Sequence, residues 1–208
     1  MHSRRIPLFP LKAVVFPRTP LPLHIFEERY KEMVGDAIRD KSEFGVVMTI
    51  ENGIANAGCT VMVEKVLETY PDGRMDILTR GQRRFEIVSL DEEKDYLQGE
   101  VNYFDDDDFE PASSELRDRV LSNYQVLSDL TPREQGEPNL EDRQLSFQLA
   151  QSLPDLDFLH TLLRQRSEVE RLKQLNQYLN EYIPRQKTIQ KMSELAPKNG
   201  FGSKPAGL

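Results

Sequence analysis

Five prolines fall among large apolar side chains within residues 4–26, and this segment restricts the fold more than any other part of the chain. They are Pro7, Pro10, Pro17, Pro20 and Pro22. Because proline has no backbone N–H to donate, it breaks a helix and removes a hydrogen bond from a central strand. The segment is therefore predicted to form short edge strands and extended crossings over a core, and not a helix.

A long, bent β-hairpin is predicted between residues 58 and 88. Its first strand mixes apolar alternation with continuous apolar runs, which is typical of a strand buried on one face and partly on the other. The Pro-Asp-Gly sequence at 71–73 supplies a fixed φ, a side chain that bonds its own backbone and a residue that tolerates positive φ, so it predicts a turn. Gly81 interrupts the second strand, where a bulge or a close backbone approach is expected.

The rest of the first half is also mostly β in pattern. Apolar residues three and four apart predict one helix over residues 27–40, with a single buried stripe. Residues 44–50 form a compact β run that ends at a turn signal, and residues 96–104 add one more alternating strand. We therefore predict a β-rich unit with one helix between its early strands.

Four consecutive carboxylates at residues 105–108 mark a predicted boundary between two subdomains, since like charges repel one another inside a packed layer. We predict a β-rich subdomain over residues 1–108, a helical subdomain over 109–192 and a disordered tail over 193–208. The predicted fold class is α+β.

The second half carries the apolar spacing of several helices. They are predicted at 113–130, at 140–152, after a cap at Asp155, and from a Ser167-x-x-Glu170 capping box to Pro184. The same apolar stripe also permits a single long helix through Arg166 in place of the last two.

The amino-acid composition limits the classes of function and the cellular compartment that we expect for this protein. The net charge of −8 disfavours extended nucleic-acid binding, because phosphate contacts require a cationic surface. The single cysteine, Cys59, cannot form an internal disulfide, which points to a reducing compartment. No apolar run approaches the ~20 residues that span a bilayer. We expect a cytoplasmic protein without a membrane partner, and the sequence leaves its oligomeric state open.

Common catalytic motifs do not occur in this sequence. The phosphate-binding loop G-x-x-x-x-G-K-S/T, the nucleophile elbow G-x-S-x-G, H-E-x-x-H and C-x-x-C are all missing. The three histidines, His2, His24 and His160, lack ligand spacing, so no metal or cofactor is expected. Cys59 and His24 are in principle a nucleophile and a base. A cysteine at the start of an apolar strand, however, usually behaves as a small buried hydrophobe, and we expect no enzymatic activity.

The most distinctive charged cluster consists of Arg80, Arg83 and Arg84 around Gly81. These side chains either protect a sheet edge through ion pairs or hold a carboxylate. Together with the end of the proline-rich segment they are predicted to line a binding groove beside the helical half. The candidate groove residues are Leu23, His24, Phe26, Arg80, Arg83 and Arg84.

Several short motifs occur in a recognisable order. They are R-I-P-L-F-P-L at 5–11, V-F-P at 15–17, P-L-P-L-H-I-F-E-E-R-Y at 20–30, G-C-T at 58–60, D-G-R at 72–74 and G-Q-R-R-F at 81–85. With these motifs, residues 4–185 resemble the N-terminal, substrate-binding domain of Lon proteases, in its free-standing bacterial form. The proline-rich opening followed by P-L-x-I-F-E-x-R-Y is the specific signal.

The resemblance implies a β-rich, PUA-like pseudo-barrel joined to a small helical bundle. It also implies a module that recognises unfolded polypeptide or a partner protein and that lacks the ATPase and protease domains of full-length Lon, so no catalytic residue is carried over. An adaptor role for unfolded polypeptide follows as an expectation. The alternatives are a cryptic hydrolase or degenerate protease that uses Cys59, and an RNA-binding PUA-like protein.

Overall fold

The structure, a computed structural model, describes residues 4–91, 93–108, 110–131 and 138–195. Within these residues, six strands and one helix make up the first half and four helices the second, which confirms the α+β class. In chain order the elements are β1 (Arg4–Leu11), β2 (Pro20–Ile25), α1 (Glu28–Asp40), β3 (Phe44–Ile50), β4 (Gly53–Thr69), β5 (Met75–Asp91), β6 (Gln98–Phe104), α2 (Ser114–Leu130), α3 (Leu145–Ala150), α4 (Leu156–Arg164) and α5 (Glu168–Leu195).

The six strands form a sheet that closes on itself. Their order is β2-β5-β4-β3-β1-β6, and β6 pairs again with β5, so five of the strands make a ring. Closure is possible because β5 is long: its first residues pair with β2 and residues 84–91 pair with β6. Register shifts in the β4–β5 ladder mark irregularities of the kind that bend strands. This ring is the expected pseudo-barrel.

The proline-rich segment contains no helix, as predicted, and β2 is an edge strand that pairs only with β5. For β1 the edge prediction was wrong, because this strand lies between β3 and β6. Its first half pairs with β6 around Pro7, and its second half pairs with β3 around Pro10. Pro7 and Pro10 therefore each lie in a part of β1 that pairs with only one neighbouring strand. The missing backbone N–H of proline is tolerated at such a position.

The predicted hairpin is confirmed as β4 and β5, joined by a turn in which Gly73 has a φ of 81°. Because β3 pairs with β4 only up to Val61, the hairpin extends beyond the ring. We call this extension the arm: it consists of β2, residues 62–69 of β4 and residues 75–80 of β5. One face of the arm shares a hydrophobic cluster with α1, through buried residues such as Ile25, Ile77 and Met33.

The predicted caps at Asp155 and Ser167 are confirmed, and the helix predicted from about residue 113 is capped by Ser113. The hydroxyl of Ser113 accepts from Leu116 N, the carboxylate of Asp155 accepts from Phe158 N, and the hydroxyl of Ser167 accepts from Glu170 N. The two-helix interpretation around Arg166 is confirmed, because α4 and α5 are separate helices. The short helix α3 is only six residues long, shorter than predicted.

Pro184 does not end α5, which continues to Leu195, and the predicted stop was wrong. Proline removes one backbone hydrogen bond from a helix interior and costs about 3 kcal/mol. A helix of 28 residues retains most of its other hydrogen bonds, and Pro184 lies on an exposed part of it. The prediction of a disordered tail falls mainly on residues 196–208, which lie outside the described residues.

One large hydrophobic cluster runs from the ring into the helices. At the junction, the rings of Phe16 and Phe147 stack with centroids 4.7 Å apart. The division into subdomains at residues 108 and 109 stays a prediction, since the two halves share this core.

Candidate functional site

The six predicted groove residues lie in three different places. Leu23, His24 and Phe26 are at one end of β2, beside the tip of the arm. Arg80 is opposite Pro20, at the other end of the β2–β5 ladder. Arg83 and Arg84 follow on β5, where it joins the ring. The structure therefore does not bring all six residues into one groove.

His24 and Phe26 belong to an exposed face of the arm, which we call the arm face. Leu23, Ile25 and Ile77 are buried toward α1, and side chains alternate along a strand, so the intervening residues lie on the opposite side. Cross-strand partners share a face, and the register gives three rows across the three strands. The rows are His24–Asp76–Glu68, Pro22–Leu78–Lys65 and Pro20–Arg80–Met62.

The first row carries an aromatic and acidic cluster. His24 Nδ1 donates to Asp76 Oδ1 at 2.6 Å, and the Tyr70 hydroxyl donates to Asp76 Oδ2 at 2.7 Å. The His24 ring stacks with Phe26 at 6.0 Å and meets the edge of Tyr70 at 6.1 Å. Hydrogen bonding by His24, and then by Tyr70, lowers the pKa of Asp76, so this carboxylate is ionised at neutral pH.

Tyr70 remains a neutral donor in this cluster. Hydrogen bonding to Asp76, and next to Glu68, raises the pKa of Tyr70 to about 12. The hydroxyl therefore keeps its proton and helps to hold two neighbouring carboxylates in place.

Arg80 and Arg83 have structural partners that the sequence did not specify. Arg80 pairs with Glu64 and donates to the backbone carbonyl of Arg18 at 2.9 Å. Arg83 pairs with Glu43 at 2.9 Å and lies over the ring of Tyr103, with 3.9 Å from the guanidinium carbon to the ring centroid. Both side chains are partly exposed, so they also present charge to solvent.

Arg84 is almost completely buried, although it also borders the cleft between the ring and the helical half. Its side chain is only 1% exposed and donates to Leu163 O at 3.1 Å and to Gln165 O at 2.8 Å. It also pairs with Asp106 at 2.6 Å. Arg84 therefore fastens β5 to the connection between α4 and α5.

Asp106 is the residue that sequence reasoning missed. It lies within the acidic run that was interpreted as a solvated boundary, yet its side chain is only 8% exposed. Arg171 binds both of its oxygens, at 2.6 and 2.7 Å, and Gln144 donates to it at 3.0 Å. Burial opposes ionisation of Asp106, but these donors and the charges of Arg171 and Arg84 outweigh it and lower its pKa to about 2. No local sequence signal distinguishes Asp106 from its acidic neighbours.

The same network continues to Glu168. Its carboxylate accepts from Arg171 at 2.8 Å and from the Ser146 hydroxyl at 2.6 Å. Two guanidinium groups and two carboxylates thus meet between the ring and the helices, and their formal charges balance. We call Arg84, Asp106, Glu168 and Arg171 the ionic junction.

A cleft of about 420 Å³ lies beside the ionic junction, between the ring and the helical half. Its lining residues include Arg18, Arg83, Arg84, Tyr103, Phe104 and Gln144. Of the predicted groove residues, Arg83 and Arg84 line this cleft, whereas His24 and Phe26 do not. The arm face and the cleft are separate surfaces.

Cys59 is fully buried, and burial raises the pKa of its thiol to about 12. A thiol that stays protonated is a poor nucleophile. We therefore expect a thiol-reactive dye such as 5,5′-dithiobis(2-nitrobenzoate) to leave the native protein unlabelled over an hour and to label it at once in denaturant. Rapid labelling of the native protein would show that Cys59 is accessible and would reopen the hydrolase alternative.

The described residues contain no group of three or more His, Cys, Asp or Glu side chains arranged to hold a metal ion. Among the described helices, none combines the length and the apolar character needed to cross a bilayer.

Comparison with known proteins identifies relatives in one family. Lon protease from Parabacteroides distasonis is 28% identical over a stretch that covers 60% of this chain and 17% of that protein. Lon protease 2 from Desulfotalea psychrophila is 33% identical, over 46% of this chain and 13% of that protein. The chain therefore spans less than a fifth of the length of these relatives.

Solved structures show the same fold. The Lon N-terminal domain protein from Xanthomonas campestris aligns with a TM-score of 0.68 and 27% identity, and the alignment covers 83% of this chain and 96% of that one. The N-terminal domain of Mycobacterium avium complex Lon protease aligns with a TM-score of 0.62 over 85% of this chain and 98% of that one. At 15% identity, the second likeness concerns the fold alone.

A family model describes the substrate-binding domain of the ATP-dependent protease La (LON), and it matches residues 5–197. The match covers both the closed sheet and the helices, and the resemblance noted from the motifs is confirmed. This chain belongs to the family of Lon substrate-binding domains.

Proposed function

We propose that this chain is a non-catalytic module that binds extended, unfolded polypeptide on the arm face. The observation that carries the proposal is the arm face: the register puts Pro20 and Pro22 on the side opposite α1, and the ring of Phe26 stacks there with His24. Phe26 is 60% exposed, although its side chain is large and apolar. Exposed apolar surface of this kind is typical of a binding site. Membership of a substrate-binding family supports the same conclusion.

The edge of the arm offers a second mode of contact. Within the described residues, positions 62–69 of β4 have no strand partner on their outer side, and Val66 and Leu67 are exposed there. At about 3.4 Å per residue this edge is about 27 Å long, enough for a strand of the bound polypeptide to pair with it. The opposite edge, β2, contains Pro20 and Pro22, which cannot donate hydrogen bonds. We therefore place backbone pairing at β4.

The partner is proposed to be unfolded polypeptide, with transfer to a separate protease as the adaptor role. The net charge of −8 favours polypeptide over nucleic acid, whose phosphates would be repelled. Cys59 is buried and its thiol stays protonated, so it gives no support to the hydrolase alternative that uses it. A reducing, cytoplasmic location is proposed with this function.

Replacing Phe26 by alanine is expected to weaken polypeptide binding about tenfold, because an exposed aromatic anchor of an interface typically contributes more than about 1 kcal/mol. The measurement is fluorescence anisotropy of a labelled, permanently unfolded, carboxymethylated protein titrated with the full chain. Ile189→Ala is the matched control, since Ile189 is 58% exposed and lies on α5 away from the arm. Equal affinities of the wild type and Phe26→Ala would remove the arm face from the proposal.

A further inference from the structure

We propose that the cleft between the ring and the helical half binds a carboxylate group of an extended polypeptide, held by the side chains of Arg18 and Arg83. The carboxylate belongs to an aspartate or glutamate side chain or to the C-terminus of the polypeptide. The cleft is separate from the arm face, so this inference adds a second binding surface. It shares with the proposed function only the class of ligand.

The lining of the cleft is cationic, although the chain as a whole has a net charge of −8. Among the described residues that line it, Arg18, Arg83 and Arg84 are basic, and Asp105 is the single acidic one. The volume of about 420 Å³ lies within the range of about 300 to 1,000 Å³ that ligand pockets usually have. The cleft is therefore large enough for a ligand, and its charge favours an anion.

Arg18 and Arg83 retain guanidinium N–H groups for a ligand. Arg83 donates to Glu43 from Nε and Nη2, and its Nη1 donates to no described residue. Arg18 uses Nη2 for both Asp142 and Gln144, and its Nε and Nη1 donate to no described residue. The two arginine side chains are 50% and 44% exposed, so solvent and ligands reach them. Guanidinium groups of this kind match the two oxygens of a carboxylate.

The side chain of Arg83 is held in position before any ligand binds. Its guanidinium carbon lies 3.9 Å from the centroid of the Tyr103 ring, and Glu43 fixes its other side at 2.9 Å. An oriented guanidinium loses less conformational entropy when it binds a carboxylate than a freely moving one does. The cleft therefore contains a preorganised donor.

The backbone of Arg18 supplies an independent observation. Its φ is 64°, in the left-handed region that favours glycine and that long side chains rarely adopt. Hydrogen bonds from Arg18 N to Gly81 O at 2.8 Å and from Arg80 Nη1 to Arg18 O at 2.9 Å hold this conformation. Residues in such unfavourable conformations are concentrated at functional sites. An arginine where glycine is less strained indicates that the side chain itself is used at this position.

The hydroxyl of Tyr103 adds a further donor to the wall of the cleft. It is buried and has no hydrogen-bond partner among the described residues. Burial raises the pKa of Tyr103, so the hydroxyl keeps its proton at neutral pH. A buried hydroxyl is normally hydrogen-bonded to protein or to water. Because Tyr103 lines the cleft, an acceptor that a ligand brings beside it would complete this bond.

The test uses four labelled synthetic peptides with one Ser/Gly-rich host sequence. They end in Leu-Gln-amide, in Leu-Glu-amide, in Leu-Gln with a free C-terminal carboxylate, and in Leu-phosphoserine-amide. Each peptide is titrated with the full chain by fluorescence anisotropy. At least one of the two carboxylate peptides is expected to bind about fivefold more tightly than the neutral Leu-Gln-amide peptide, and this preference is expected to shrink at high salt.

The two carboxylate peptides identify the source of the group, since one carries it on a side chain and the other at the C-terminus. The phosphoserine peptide is expected to bind no more tightly than the better carboxylate peptide, because Asp105, which is 80% exposed, repels the second negative charge. Tightest binding of the phosphoserine peptide would overturn the assignment to a carboxylate.

Variants locate the effect on the protein. Arg83→Gln and Arg18→Gln are each expected to reduce the preference to less than about twofold, and Arg83→Lys is expected to retain only part of it, because an ammonium group lacks the planar fork. Arg119→Gln is the matched control, since Arg119 is 60% exposed, pairs with Glu115 and lies on α2. Circular dichroism checks the fold. Should Arg18→Gln fail to fold through loss of its pair with Asp142, the two Arg83 variants decide the question.

The outcomes separate this inference from the proposed function. Equal binding of the four peptides to the wild type would overturn the carboxylate site and leave the arm face standing, because Phe26→Ala tests that surface separately. A preference that persists in the Arg83 variants would show that the carboxylate binds outside the cleft and would overturn the assignment. Binding of a carboxylate peptide without binding of the unfolded protein would support the cleft and overturn the proposed function.

Discussion

Replacing Asp106 by asparagine is expected to lower the free energy of unfolding by about 3 to 5 kcal/mol, the range for breaking a buried ion pair by removing one partner. Asparagine keeps the shape of the side chain but removes the charge that two guanidinium groups share. Arg84 and Arg171 are 1% and 0% exposed, so neither can turn to water for compensation. An asparagine amide in this position also points one N–H donor group at a guanidinium, which cannot accept it.

The measurement is urea unfolding followed by circular dichroism at neutral pH. Asp107→Asn is the matched control, because Asp107 belongs to the same acidic run but its side chain is 75% exposed. We expect this control to change stability by less than about 0.5 kcal/mol. If Asp106→Asn and Asp107→Asn proved equally stable, the ion pairs of the ionic junction would contribute no more to stability than exposed ion pairs do. They would then not determine how the ring and the helices are joined.

Replacing Gly81 by alanine is expected to cost about 3 kcal/mol, at the upper end of the usual range for overpacking. A Cβ at this position would lie 2.0 Å from the carbonyl oxygen of Phe16 and 2.9 Å from its carbon. Both atoms belong to backbone, which cannot rotate aside. The same backbone is held by hydrogen bonds from Gly81 N to Thr19 O and from Arg18 N to Gly81 O. Relief of the clash would therefore require separating β5 from the segment before β2.

Gly35→Ala is the matched control for this prediction. No atom lies within 4 Å of the position its Cβ would occupy, and Gly35 is in the interior of α1. Alanine is favoured over glycine in helices by about 1 kcal/mol, so this variant is expected to raise stability. Thermal and urea unfolding of the two variants should move in opposite directions. A stable Gly81→Ala protein would show that the Phe16 segment moves more easily than its hydrogen bonds indicate.

The sequence indicated residues of the arm face but not the network of the ionic junction. His24 and Phe26 were predicted as candidate binding residues because they lie at the end of the proline-rich apolar segment, which suits a surface groove, and both side chains are exposed in the structure. Arg84 was assigned to the same groove only because it neighbours Arg83 along the chain. Its burial depends on Asp106 and on backbone carbonyls of residues 163 and 165, which are far away in sequence.

Local chemistry determined much of this protein from the sequence alone. The hairpin and its Pro-Asp-Gly turn, the caps at Asp155 and Ser167, and the absence of a helix within residues 4–26 all depend on residues a few positions apart. The signals for such interactions lie within a short segment, so they can be recognised in one sequence.

Tertiary structure alone decided which distant residues meet. The pairing of β6 with both β1 and β5 placed the first strand inside the sheet, and packing of the helices on that ring turned Asp106 from one carboxylate among four into the centre of a buried network. The three rows of the arm face likewise required the register between β2, β5 and β4. Strand register and side-chain burial depend on the free energy of the whole packed chain, so they cannot be predicted from a short segment alone.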